Sequence, residues 1–133
     1  MPEEKLEEMQ LMNNLHSIEP TASPENIIAI IGPSSSSTVM IRWNPPPLKD
    51  QNGIIIGYTI KLVRQLRNQQ DSGQTIRIRI DKETSTTISN LTPSTNYTII
   101  IAASTSAGTG PYSIPIFYKT HDLGIMAYKI YYN

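Results

Sequence analysis

Between Pro24 and Thr120, apolar and polar residues alternate in short runs separated by turn-forming residues. Val39, Ile41 and Trp43 fall on one side of a two-residue period, with Met40 and Arg42 on the other. The same period sets Ile76, Ile78 and Ile80 against Arg77 and Arg79, and places Tyr97, Ile99, Ile101 and Ala103 on one face of a later run. A pleated strand sends successive side chains to opposite faces, so each run predicts a half-buried strand. Ile55, Tyr58, Ile60 and Leu62 form another such face, although the three-residue step from Ile55 to Tyr58 breaks the period. A bulge or a late strand start near Gly57 restores it. Residues 26–31, 86–88 and 113–120 complete seven strands, and Pro115 points the last of them to a sheet edge, because proline cannot donate to a ladder.

The punctuation agrees. Gly32-Pro33 with the serine run behind it, Pro45-Pro46-Pro47 and Asn52-Gly53 each interrupt a strand pattern. Seven short strands over residues 23–120, with no alternation of strands and helices, predict an all-β, immunoglobulin-like sandwich of two antiparallel sheets. No helix is expected between residues 38 and 103. Leu91, Pro93, Thr95 and Tyr97 form a corner in which the tyrosine ring enters the core and its hydroxyl turns back onto backbone near residues 91–94. Trp43, Tyr58, Leu91 and Tyr97 are the expected structural core; both Trp43 and Tyr97 have inward parity, so neither is read as part of an aromatic binding box.

The ends of the chain differ from this body. Residues 1–22 are read as an acidic leader and linker. Leu6, Met9 and Met12 lie at helical spacing within good helix formers, in a piece too short to be stable alone. Residues 121–133, with Tyr128, Tyr131 and Tyr132, are read as a C-terminal tail. Nothing in the chain reads as a secretory signal or approaches the roughly 20 apolar residues of a membrane span, so the chain itself is not expected to insert in a membrane.

Net charge is zero, but the charges are segregated. Residues 1–25 carry six glutamates against Lys5, a balance of −5, whereas residues 42–82 carry eight cations against three aspartates, a balance of +5. Cysteine is absent, which rules out disulfides, thiolate metal sites and thiol nucleophiles.

The residues now on the page resemble the fibronectin type III family over about residues 23–120. Trp43 is similar to that family's second-strand tryptophan, and Asn44-Pro45-Pro46 to the turn that follows it. The stretch from Asn52 to Ile60 resembles the opening of its third strand, the residues from Leu91 to Tyr97 its tyrosine corner, and Ala107-Gly108-Thr109-Gly110-Pro111-Tyr112-Ser113 its penultimate loop. Thr105 stands where the family often has asparagine. The penultimate loop lacks Arg-Gly-Asp, so the integrin-binding role of one family member does not carry over. The resemblance is greatest to modules of neuronal cell-surface adhesion and guidance receptors and of receptor tyrosine phosphatases. It implies a non-catalytic spacer and protein-interaction module, part of a larger protein on the extracellular side of the plasma membrane. An intracellular module of the muscle-protein kind and an ectodomain piece of a receptor phosphatase are alternative readings.

Catalytic residues, a metal site and a cofactor are not expected. The only histidines, His16 and His121, lie outside the sandwich, and no carboxylate pair is placed for acid–base work. Gly108-Thr109-Gly110 opens no helix and so makes a poor phosphate cradle. The surface feature with functional promise is basic. Lys61, Arg64, Arg77 and Arg79, with Arg67 in the intervening loop, are expected to converge on one outward face suited to an acidic protein or a sulfated glycan. Nucleic acid is not an expected partner, since net positive charge and interleaved aromatics are both lacking. Asn90 and Asn96 each open an Asn-X-Thr acceptor for N-glycosylation. Asn96 has outward parity; Asn90 is cramped by Leu91 and Pro93.

Overall fold

Between Glu25 and Lys119, period-two alternation becomes eight strands and one helical turn in a computed structural model, which describes residues 3–4, 17–65 and 74–123. The strands are β1 (Glu25–Ile31), β2 (Val39–Asn44), β3 (Gly57–Arg64), β4 (Thr75–Ile80), β5 (Ser85–Ile88), β6 (Asn96–Thr105), β7 (Gly108–Thr109) and β8 (Ile116–Lys119). They form two antiparallel sheets, one in the order β1-β2-β5 and the other β4-β3-β6-β7, with β8 also on β6. Packed face to face, they make the expected sandwich.

The core lies between the inner faces. Val39, Ile41 and Trp43 come from β2, and Tyr58, Ile60 and Leu62 from β3. Tyr97, Ile99, Ile101 and Ala103 come from β6, while Ile88 and Leu91 close one end. Full burial of each large side chain is worth about 1.5–3 kcal/mol, so this set dominates the stability. Trp43 and Tyr58 meet edge to face with ring centroids 5.3 Å apart, bridging the two sheets. β3 does start late, at Gly57, with Ile55 half-buried ahead of it. Glycine suits that position because a Cβ would stand 2.5 Å from the Ile80 carbonyl oxygen, a clash with backbone.

Three expectations need correction. First, Leu48–Gln51 forms a one-turn helix, α1, inside the span expected to hold none. The proline run ends β2, the Asp50 amide donates to the Pro47 carbonyl at 2.9 Å, and Asn52 ends the turn in the left-handed region at φ 58°. Second, residues 113–120 do not form one strand. Within that stretch only β8 is strand, because Pro115 lacks the amide that a ladder needs; β7 precedes it at Gly108–Thr109. Between them Ser113 keeps contact with β6: its amide donates to Ile101 O at 2.9 Å, and its hydroxyl accepts from the Ile101 amide at 3.0 Å.

Third, residues 17–21 are a strap fastened across the end of the sandwich rather than a free linker. The Ile18 amide donates to Asn52 O at 3.1 Å and the Thr21 amide to Asp50 O at 2.9 Å. The Thr105 hydroxyl donates to Ile18 O at 2.8 Å and the Asn52 side chain to Glu19 O at 3.2 Å. Pro20 is fully buried. Of the segment expected to be helical, only Glu3 and Glu4 are described, both helical and exposed; Leu6, Met9 and Met12 lie outside the described residues, as do Arg67 and the tail tyrosines.

Candidate interaction face

The tyrosine corner has the expected geometry. Tyr97 is buried, and its hydroxyl accepts a hydrogen bond from the Thr92 amide at 2.9 Å. Thr120 fastens the same corner from the end of β8. Its hydroxyl accepts from the Thr95 amide at 3.0 Å and donates to Thr92 O at 2.6 Å. The corner is a structural lock.

The outer face of the five-stranded sheet is where charge collects. Lys61 lies directly opposite Arg77, and Thr59 opposite Arg79, in the register of β3 and β4. Directly opposed residues share a face, so Lys61, Arg77 and Arg79 are brought together as expected. Arg64 is not. It has the parity of Leu62 and pairs with Tyr97, which places it on the inner side at the strand end. Its Nε is buried there. Counting in twos from Tyr58 would have found this.

Two residues overlooked in the sequence belong to the face. Phe117 pairs with Thr98, which in turn pairs with Val63, and Lys119 pairs with Asn96. Phe117 is 79% exposed. The five strands carry the cations Lys61, Arg64, Arg77, Arg79 and Lys119 and no carboxylate; among the described residues the nearest acids along the chain are Asp81 and Glu83 after β4 and Asp122 after β8. Among the described residues no ion pair or hydrogen bond occupies the side chains of Lys61, Arg77, Arg79 or Lys119.

Asn96 is exposed on this same face, at its Lys119 corner. Asn90 is exposed as well, held in the left-handed region at φ 62° while Leu91 beside it is buried. Among the described residues no group of histidines and carboxylates could hold a metal ion, and no helix is long and apolar enough to cross a membrane.

Residues 22–119 match the fibronectin type III domain, and the chain belongs to that family. Among curated proteins it is 37% identical over 103 residues to tyrosine-protein phosphatase Lar of Drosophila melanogaster. It is 34% identical over 101 residues to protein sidekick-2 of Gallus gallus. These matches take in 77% and 76% of this chain but only 5% and 4% of the two relatives, so the chain spans a small part of their length. The crystal structure of the FN5 domain of Drosophila Lar superposes with a TM-score of 0.59 at 25% identity, covering 77% of this chain and 97% of that one. The third fibronectin III domain of the human KIAA0343 protein superposes with a TM-score of 0.69, covering 78% and 85%; at 21% identity this likeness shows the fold alone. The fibronectin type III module itself is non-catalytic, and the match to the phosphatases lies outside their catalytic domain. Modules of the family typically mediate protein binding.

Proposed function

We propose that the chain is a non-catalytic spacer and protein-interaction module of a larger adhesion or guidance-type receptor, displayed on the extracellular side of the plasma membrane. One observation carries this reading: a complete sandwich of the family matches short stretches of long cell-surface receptors, Lar and sidekick-2 among them. Such a module works by geometry. The two-sheet core and the strap at residues 17–21 form the scaffold, and the sheet faces are left for partners. The matches to Lar favour a narrower version, in which the module is an ectodomain piece of a receptor phosphatase.

An antibody against the folded domain tests the placement. It is expected to label intact, unpermeabilised cells that express the parent protein. Labelling that requires permeabilisation would overturn the extracellular reading and favour an intracellular structural module.

A further inference from the structure

We propose that the outer face of the five-stranded sheet docks an acidic protein segment. Phe117 enters an apolar recess of that partner, and Lys61, Arg77, Arg79 and Lys119 engage its carboxylates. The inference rests on the reading of the chain as an interaction module and names what the module takes.

Local physics argues that this face does more than stay wet. Like charges directly opposite one another on adjacent strands destabilise a sheet, and Lys61 directly opposes Arg77. Arg79 sits one pair further along on the same face, and no carboxylate of these strands relieves any of them. A face serving solubility alone is better built with both signs interspersed. A position that breaks a local rule without a compensating contact inside the fold marks a functional site. An incoming carboxylate array supplies the missing contact.

Phe117 selects the class of partner. It belongs to the row Thr75–Val63–Thr98–Phe117, beside the row Arg77–Lys61–Ile100. Val63 and Ile100 are themselves only half-buried, so the aromatic ring adjoins an apolar lane flanked by cations. An exposed aromatic on a face that also carries arginines matches the composition of an interface. Sulfate groups could satisfy the cations but would leave the phenyl ring in water; a peptide carrying both carboxylates and an apolar side chain satisfies both. The size agrees. Four strands about 4.8 Å apart and about five residues long offer a face near 15 by 17 Å, well below the roughly 800 Å² per partner of a standard interface. A short segment fits that area better than a globular surface does.

The test uses the full 133-residue chain. A displayed library of random twelve-residue peptides is selected on it, and the enriched peptides are titrated against the isotope-labelled protein alongside a heparin oligosaccharide. Enrichment in Asp and Glu together with aliphatic or aromatic residues is expected, with amide shifts confined to the outer positions of β3, β4, β6 and β8. Phe117→Ser and the triple variant Lys61→Ser, Arg77→Ser, Arg79→Ser should each weaken the peptides at least tenfold. Two results overturn the proposal. In one, the peptides bind elsewhere or not at all. In the other, heparin binds this face and Phe117→Ser changes neither ligand's affinity, which makes it a glycan site. Both leave the extracellular reading standing, because labelling of intact cells judges that separately.

Discussion

Replacing Tyr97 with phenylalanine isolates a single hydrogen bond in an otherwise unchanged core. The ring remains buried, so no cavity forms and the hydrophobic contribution is preserved. What disappears is the acceptor 2.9 Å from the Thr92 amide. A typical intramolecular hydrogen bond contributes a net of about 0.5–1.5 kcal/mol, and stranding a buried donor costs about 1–3 kcal/mol. Thr92 is only half-buried, so water can recover part of the loss, and the expected destabilisation is about 1–1.5 kcal/mol. Urea unfolding followed by Trp43 fluorescence reads this directly. With a slope of about 1–3 kcal/mol per molar urea, the midpoint should fall by roughly 0.3–1.5 M with the slope unchanged. An internal control is available in Tyr118, whose hydroxyl is buried without a hydrogen-bond partner among the described residues. Tyr118→Phe removes an unsatisfied polar atom and should be neutral or slightly stabilising. If Tyr97→Phe leaves the midpoint in place, or the two variants behave alike, the hydroxyl is not what holds the corner.

Other outcomes follow from the same structure. Burial raises the ionisation of the Tyr58 and Tyr118 hydroxyls above the ordinary tyrosine value of 10.0. The unfolded chain therefore loses these protons first; the stability they contribute is complete below about pH 10 and is lost as pH climbs through the raised folded values. Unfolding midpoints measured from pH 9 to 12 should fall, and Tyr58→Phe should flatten that fall. Thr105→Val removes the donor to Ile18 O and the acceptor at 3.3 Å from the Ala107 amide, and should cost about 1–3 kcal/mol while opening the strap to proteolysis. Limited digestion with cuts mapped by mass spectrometry checks it; cleavage near residue 18 at the wild-type rate would show the strap unaffected.

Strand identity and inner-face membership were legible residue by residue. Val39, Ile41 and Trp43, and again Tyr97, Ile99 and Ile101, face inward because pleating enforces a period of two within one strand, whatever lies beside it. The corner was legible for a related reason: Leu91, Thr92 and Tyr97 are close enough in sequence for local geometry to bring hydroxyl and amide together. The same parity assigns Arg64 to the inner side, and reading it as outward with the other cations was the error. Turn chemistry was partly legible, since Asn52 ends a turn as expected, but whether the residues before it would close a helical turn was not written in any periodicity.

Relations between strands required the folded chain. That Lys61 opposes Arg77, and that Phe117 and Lys119 complete their face, depends on register between segments that are not neighbours in the sequence. A one-residue slip in any pairing would send those side chains to opposite sides of the sheet. The strap has the same character. Residues 17–21 have the composition of a linker and become part of the sandwich only because Asn52, Asp50 and Thr105, remote in sequence, supply the partners for their backbone groups. Pleating acts within a segment and can be counted along the chain, whereas pairing joins distant segments through backbone groups that every residue carries, so only the assembled sheets reveal which residues meet.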